Sequence, residues 1–341
     1  LYAMLKRNTF LNIKFENMLD TLGQMSRTDI YSSLKEWEQL TPLPFYSIGE
    51  PELTKVVNKG GEEFFVLKVL VSNNSDYDGI IQMNVLQNGW WYQPLEDPRA
   101  RKKVEIAAHT TKEFVSVWEE QIREVEVNTM ISGNLPYMIR QSIGNVKQER
   151  NKIVKDSIYT LPESSLEMPG EIIVDNEDST LFVLSTPPVV GLLPKWLDEV
   201  EETPFKYSGI SWWRAPLQWT ATTNAKYYGK YIRSAYVIKS GDGSQTATWK
   251  IPVPEAGQYE LYYYVFKNDE LRWNDRLQGE YHFRVAYDSE VEDAYINLRK
   301  ANEGWEQLGT YYFSADTVRV VLTDECKLRS VTADAVKIVK R

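Results

Sequence analysis

Residues 243–266 have the sequence GSQTATWKIPVPEAGQYELYYYVF, and this stretch decides the predicted fold. Apolar and polar residues alternate on both sides of a corner that contains proline and glycine. The alternating apolar positions are Ala247, Trp249 and Ile251 before the corner and Tyr259, Leu261, Tyr263 and Val265 after it. Period-two alternation is typical of half-buried strands, and Pro252, Pro254 and Gly257 exclude one continuous helix. The stretch therefore predicts a strand, a corner and a second strand, and it indicates an all-β C-terminal half.

The amino-acid composition limits the kinds of molecule that the chain is expected to bind. The 341 residues suggest about two or three domains, and the aromatic content of 13% favours β domains rich in rings, or a surface that presents rings to a ligand. A net charge of −9 argues against nucleic acid as the main partner and against polybasic membrane attachment. No apolar run approaches the roughly 18 residues that span a bilayer, so we expect no membrane insertion by this segment. Because the chain starts at Leu1 rather than Met, we expect a processed or excised form, from which a signal peptide or anchor could have been removed.

The predicted fold class is mainly β. A short N-terminal helical hairpin is expected first, because apolar residues recur at helical spacing around Leu19 and again around Leu34, with Gly23 as a C-cap between them. Two β-sandwich domains follow, the first immunoglobulin-like and the second a jelly roll. The predicted boundaries are a helical segment at residues 1–42, the immunoglobulin-like sandwich at 43–145, a polar linker at 146–169 and the jelly roll at 170–341.

An ordered series of motifs in the second half resembles a known family. The motifs are VDNEDST (174–180), ATWKIPVPEAGQYELYYYV (247–265), YHFRVAY (281–287), GWEQLGTYYFSA (304–315), VRVVLTDE (318–325) and ADAVKIV (333–339). In this order they resemble the golvesin/xanthan-lyase C-terminal domain, a carbohydrate-binding-like module. The resemblance implies a jelly-roll β-sandwich, without catalytic activity, attached to secreted or surface bacterial proteins, often of the Bacteroides group.

A fainter resemblance concerns the first half. A helical hairpin followed by an immunoglobulin-like sandwich, over about residues 1–145, resembles the tail of gluzincin-type aminopeptidase chains. The HExxH zinc motif of such enzymes is absent here. Any peptidase chemistry would therefore lie in sequence upstream of Leu1.

The residues give little support for catalysis. His109 and His282 are the only histidines and Cys326 is the only cysteine, so the usual zinc ligand sets cannot be assembled. His282 alternates with Tyr281 and Phe283, which indicates an ordinary histidine on a strand face. No nucleophile elbow is present, and no pair of carboxylates stands out by spacing. We therefore predict no catalytic residues and no cofactor.

Calcium is the one metal that the sequence suggests. Asp175, Glu177 and Asp178 crowd a turn after a predicted strand, and calcium prefers clustered carboxylate and carbonyl oxygens. The favoured interpretation is an acidic turn held by Asx-type hydrogen bonds. Asp334, between Ala333 and Ala335 in the last predicted strand, is interpreted as a buried carboxylate that holds a loop or an ion.

Aromatic platforms are the main candidates for a ligand site, because sugar rings stack on tryptophan and tyrosine while their hydroxyls bind polar groups. Trp249 and Trp305 fall in strand positions of the family pattern and are predicted to lie in the core. The alternative for each of the other rings is packing rather than binding. The predicted carbohydrate contacts are Trp212, Trp213, Arg214, Tyr227, Tyr228, Trp273 and Asp275.

These observations lead to three hypotheses about function. The first is a non-catalytic, carbohydrate-binding-like region of a secreted, periplasmic or cell-surface protein, with carbohydrate or an upstream domain of the same chain as partner. The second is a pair of structural domains that position an upstream peptidase or membrane-transport domain. The third is an accessory region of a polysaccharide-degrading enzyme.

Overall fold

The structure is a computed structural model in which Leu1–Leu43 and Pro44–Arg341 are two compact units. It describes residues 14–27, 29, 43–86, 97–144, 146–151, 154–163, 166, 170–185, 206–210, 214–267 and 279–341.

The described part of the first unit is one helix, α1, at Phe15–Ser26. Leu19 lies on its apolar side and is 5% exposed. The helix ends at Arg27, which adopts a left-handed conformation with φ of 56° and donates its N–H to the carbonyl oxygen of Gly23. Gly23 therefore lies inside the helix rather than at its cap, and the second helix of the predicted hairpin falls outside the described residues. In the described part of the chain, no helix is both long enough and apolar enough to cross a membrane.

The described part of the second unit is built from strands, apart from a 3-10 turn at Pro98–Ala100. The strands are β1 Tyr46–Ile48, β2 Glu52–Val57, β3 Glu63–Asn73, β4 Gly79–Leu86, β5 Arg101–Ile106, β6 Thr110–Trp118, β7 Glu124–Asn128, β8 Met138–Ser142, β9 Val146–Arg150, β10 Ser157–Pro162, β11 Glu171–Val174, β12 Phe182–Leu184, β13 Thr220–Thr223, β14 Ser234–Lys239, β15 Thr246–Pro252, β16 Gly257–Val265, β17 Glu280–Tyr287, β18 Glu290–Asn297, β19 Gly304–Phe313, β20 Thr317–Thr323, β21 Ser330–Ala333 and β22 Val336–Lys340.

These strands form five sheets. A six-stranded sheet has the order β10-β6-β3-β2-β9 with β1 paired to β3, and a four-stranded sheet has the order β5-β4-β7-β8. Further along the chain are a four-stranded sheet β11-β22-β16-β19, a five-stranded sheet β12-β15-β20-β17-β18 and a three-stranded sheet β13-β14-β21.

The five sheets correct the predicted fold class. The mainly-β composition is confirmed. The prediction of two β-sandwich domains, an immunoglobulin-like one and a jelly roll, is wrong, because the strands are divided among five small sheets and residues 44–341 form one compact unit. Strand alternation fixes which residues face inward but leaves open how strands are shared among sheets.

The stretch predicted as a linker, residues 146–169, contains β9 and β10. Both are edge strands of the six-stranded sheet, where β9 pairs in parallel with β2 and β10 pairs antiparallel with β6. Most of their residues are exposed. An exposed edge strand needs no apolar alternation, which explains why its polar composition suggests a linker.

The strand–corner–strand of residues 243–266 supplies two different sheets. Every alternating apolar residue in its two runs is 0–1% exposed. Strand β15 belongs to the five-stranded sheet and β16 to the second four-stranded sheet, so the corner carries the chain from one to the other. Trp249 and Tyr263 meet between these sheets, with ring centroids 6.0 Å apart at an interplanar angle of 70°. Trp249 also donates its indole N–H to the carbonyl oxygen of Asp334 at 3.2 Å.

Backbone hydrogen bonds join the segment between β7 and β8 to the segment before β14. Leu135 donates its N–H to Tyr231 at 2.9 Å, and its carbonyl accepts the N–H of Arg233 at 2.7 Å. A parallel bridge between Leu135 and Ile232 lies between these bonds. The first two sheets are thereby connected to the last three by the main chain and not by side chains alone.

Lys226 adds an ionic contact at the same junction. Its Nζ lies 3.3 Å from Glu124 Oε1 and 3.0 Å from Glu303 Oε2. The three side chains are only 10–17% exposed, so water screens their charges weakly.

We expect Lys226→Met to lower the free energy of unfolding by about 2–3 kcal/mol, because two shielded carboxylates lose the cation between them. Urea unfolding at pH 7 measures the change. The exposed Lys300 provides a matched control, and Lys300→Met is expected to change stability by less than about 0.5 kcal/mol. A Lys226→Met protein as stable as the control would contradict the structural role of this cluster.

Candidate functional site

The predicted carbohydrate contacts are only partly within the described residues. Trp212, Trp213, Trp273 and Asp275 lie outside them, and their predicted role stays a prediction. Arg214 is described and exposed.

Tyr227 occupies a packing position. It is 2% exposed, and its ring meets that of Phe266 edge-on at a centroid distance of 4.7 Å. Its carbonyl oxygen accepts a hydrogen bond from Arg233 Nη1 at 3.1 Å. In this structure the Tyr227 ring has no open face for a sugar.

Tyr228 is half-buried in a cluster of rings. Its ring lies 5.5 Å from that of Tyr264 and 5.0 Å from that of Trp305. Lys337 Nζ sits 4.8 Å from the centre of the Trp305 ring and forms an ion pair with Glu171 at 3.0 Å. The rings therefore serve mainly to pack one another and to hold a paired lysine. Trp249 is fully buried, as predicted for a core residue, whereas Trp305 remains partly exposed.

The carboxylates of the acidic turn differ in their hydrogen-bond partners. Asp178 Oδ1 accepts hydrogen bonds from the backbone N–H and the hydroxyl of Thr180, as the Asx-turn interpretation predicts. Glu177 accepts hydrogen bonds from Lys206, Tyr207 and Ser234. Within the described residues, no group of three or more His, Cys, Asp or Glu side chains is placed to hold a metal ion.

A second group of charges is buried near this turn. Asp334 is 0% exposed and Arg233 is 5% exposed. Asp334 Oδ2 accepts the N–H of Tyr228 at 3.2 Å, whereas Asp334 Oδ1 and Arg233 Nε have no hydrogen-bond partner among the described residues. Burial, followed by the nearby Asp175 carboxyl, holds the pKa of Asp334 well above its usual range. Burial likewise raises the pKa of Asp175 to about 8.

These raised pKa values predict a stability that falls as pH rises. Between about pH 4 and pH 8 the unfolded chain releases a proton that the folded Asp334 or Asp175 retains. Each such carboxyl contributes a slope of up to about −1.4 kcal/mol per pH unit. Asp334→Asn keeps the acceptor for Tyr228 and cannot ionise, so we expect its unfolding free energy to fall less between pH 5 and pH 8 than that of the unmodified protein.

Urea unfolding at four pH values measures this slope. The control is Asp288→Asn, since Asp288 is exposed and its φ of 44° suits asparagine. Equal slopes for Asp334→Asn and the unmodified protein would show that Asp334 ionises normally.

The outer face of the five-stranded sheet carries a pair of stacked rings, one of them exposed, that the sequence motifs do not single out. His282 on β17 lies directly opposite Tyr295 on β18. Their rings stack at a centroid distance of 4.9 Å and an interplanar angle of 11°. Tyr295 is 56% exposed, so the pair presents an aromatic surface to solvent.

Carboxylates hold the His282 ring in place. Its Nε2 lies 2.7 Å from Asp293 Oδ1, and its Nδ1 lies 3.5 Å from Glu325 Oε2. Asp293 is two residues from Tyr295 on the same strand and therefore shares its face. A fixed ring beside oriented carboxylates offers both stacking and hydrogen-bond acceptors, which is the combination that polar ring-shaped ligands require.

The alternation of Ala294, Ile296 and Leu298 was the signal that could have located this face. All three are buried, so Asp293 and Tyr295, which lie between them, point outward. The inward apolar residues predict the strand, and the outward residues between them form the exposed face. The expectation that His282 lies on a strand face is correct.

Comparison with known proteins identifies the region that contains this face. Residues 213–340 match the family model of the Golvesin C-terminal domain. The match covers β13 to β22, including four of the five strands of the five-stranded sheet. It confirms the resemblance drawn from the sequence motifs, although the matched residues begin well after the predicted boundary at residue 170. The aminopeptidase resemblance of the first half finds no support.

Among solved structures, the chain is similar to a xanthan lyase from Paenibacillus, at 17% identity and a TM-score of 0.36 over 88% of this chain and 27% of that one. A CBM35 from Cellvibrio japonicus Abf62 matches 35% of this chain at 12% identity, with 80% of its own length covered and a TM-score of 0.25. The chain spans about a quarter of the length of the xanthan lyase. No curated protein matches it.

Proposed function

We propose that this chain is a non-catalytic, carbohydrate-binding region of a secreted or cell-surface protein, and that the outer face of the five-stranded sheet binds the carbohydrate. The observation that carries the proposal is the exposed, stacked Tyr295 ring within the Golvesin C-terminal domain.

The chemistry of this face suits a sugar. The C–H face of a pyranose ring packs against an aromatic ring, and Tyr295 offers such a ring at low entropic cost because His282 already fixes it. Asp293 is placed to accept hydrogen bonds from hydroxyl groups at the ring's edge. The predicted contacts Trp212, Trp213 and Trp273 remain part of the proposal as a second location for the ligand.

We expect Tyr295→Ala to weaken glycan binding about tenfold, which is the upper end of what one aromatic contact contributes. A glycan array with the full chain identifies a ligand, and isothermal titration calorimetry measures its affinity. Tyr295→Phe keeps the ring and is expected to retain most of the affinity.

Tyr312→Ala is the matched control, because Tyr312 is 65% exposed on β19 and belongs to a different sheet. If Trp273→Ala abolishes binding while Tyr295→Ala does not, the ligand binds at the predicted contact Trp273 instead of on the sheet. If no glycan binds to the unmodified chain, the proposed function is wrong.

A positioning role is the second candidate. It is favoured by the backbone hydrogen bonds at Leu135, which link the first two sheets to the last three. If these five sheets move as one body, they would hold any attached domain at a fixed distance and orientation from the bound glycan. A single calorimetric unfolding transition for residues 44–341 is the expected result, and two separate transitions would argue against it.

A further inference from the structure

Three cations share the outer face of the five-stranded sheet with Tyr295. Lys250 on β15 lies directly opposite Arg319 on β20, and Arg319 in turn lies opposite Ala286 on β17. Arg284 is two residues from Ala286 on the same strand and therefore points the same way. The residues that alternate with these cations, among them Trp249 and Val320, are buried on the inner side.

None of the three cations has an ion-pair or hydrogen-bond partner for its side chain among the described residues. Arg284 lies opposite Asp293 in the ladder, but Asp293 binds His282. Arg284 and Arg319 are exposed, and Lys250 is partly exposed. Their charges are therefore available to a ligand.

The pairing of Lys250 with Arg319 has an electrostatic cost in free energy, and no packing contact of the described residues explains why it is present. Like charges placed directly opposite on neighbouring strands destabilise a sheet, and Lys250 faces Arg319 in this way. The chain as a whole has a net charge of −9, so an unpaired cluster of cations is a local exception. An anion bound between the two side chains would remove the repulsion.

The cations and the exposed ring lie on four neighbouring strands of one face, with Lys250 on β15, Arg319 on β20, Arg284 on β17 and Tyr295 on β18. At about 3.4 Å per residue, the Arg284 position is about 7 Å along the sheet from the row of Tyr295 and His282, and the Arg319 row is about 7 Å further. Because neighbouring strands are about 4.8 Å apart, the Arg284 position is about 8 Å from that of Tyr295, whereas the Arg319 and Lys250 positions are about 17 Å and about 20 Å away. Several successive units of one polysaccharide chain would therefore span the ring and the cations. Arginine binds carboxylate and sulfate groups through paired N–H donors.

We propose that the outer face selects anionic polysaccharides, with acidic groups of the glycan bound by Lys250, Arg284 and Arg319 and another sugar ring of the same polymer packed on Tyr295. This inference rests on the proposed carbohydrate binding. Uronic-acid carboxylates and sulfate esters present the same chemistry to these side chains.

The test compares three polymers by calorimetry with the full chain: polygalacturonate, dextran sulfate and neutral dextran. We expect at least one acidic polymer to bind at least tenfold more tightly than dextran at 50 mM salt, and to lose much of that advantage at 200 mM salt. The ranking of polygalacturonate, which carries only carboxylates, against dextran sulfate, which carries only sulfate esters, distinguishes the two acidic groups.

The double variant Lys250→Gln/Arg319→Gln is expected to weaken binding of the acidic polymer at least tenfold and to flatten its salt dependence. The matched control is Arg101→Gln/Lys103→Gln, which removes two exposed positive charges from β5 in another sheet. Circular dichroism verifies that both variants fold. The control is expected to bind as the unmodified chain does.

Three outcomes would overturn the inference. If dextran or another neutral glycan binds as tightly as the acidic polymers and depends on Tyr295, the proposed function stands and the anion selectivity is wrong. If both double variants weaken binding equally, the effect is one of net charge and not of this face. If no glycan of either kind binds, both proposals are wrong.

Discussion

The contact between Trp249 and Tyr263 is the constraint on which the C-terminal sheets depend. These side chains come from strands on either side of one corner, and their rings meet edge-on between two sheets. The indole N–H of Trp249 also binds the carbonyl of Asp334, which fixes the chain just before β22. Since both rings are fully buried, the inward face of β15 and of β16 is fixed. The outward face of each strand is fixed with it, because successive residues alternate.

The same core encloses a polar group that weakens it. Asp334 accepts the N–H of Tyr228 with one oxygen, while the other oxygen has no hydrogen-bond partner in the part of the chain that the structure describes. A buried carboxyl in this position is stable mainly in its protonated form, which is why its pKa is raised. The core of the C-terminal sheets therefore also makes the stability of the fold depend on pH. Apolar burial determines the fold, and one carboxyl determines the conditions under which the fold is strongest.

Period-two alternation predicted the strands of the C-terminal half well, because inward residues such as Tyr259 and Val285 are buried as expected. It failed at exposed edges such as β9, where no apolar pattern is needed. It also gave no sheet membership, since pairing depends on residues far apart in sequence. Tyr227 shows the limit for the ligand site: a stretch dense in aromatic residues does not reveal which rings are buried. The pairing of His282 with Tyr295, and of Lys250 with Arg319, required the register of the sheet.

This division between inward and outward positions explains why a match to a family model leaves the ligand open. Several residues that carry the family resemblance, including Trp249, Leu261 and Tyr263, lie in the core and maintain the sheets. A ligand meets only the residues between the buried positions, and those are free to differ without loss of packing. Lys250 stands between Trp249 and Ile251 within the most recognisable motif of the chain, yet it faces solvent beside Arg319. If this face binds a ligand as proposed, its specificity is therefore encoded in the alternate positions of the same strands that carry the resemblance.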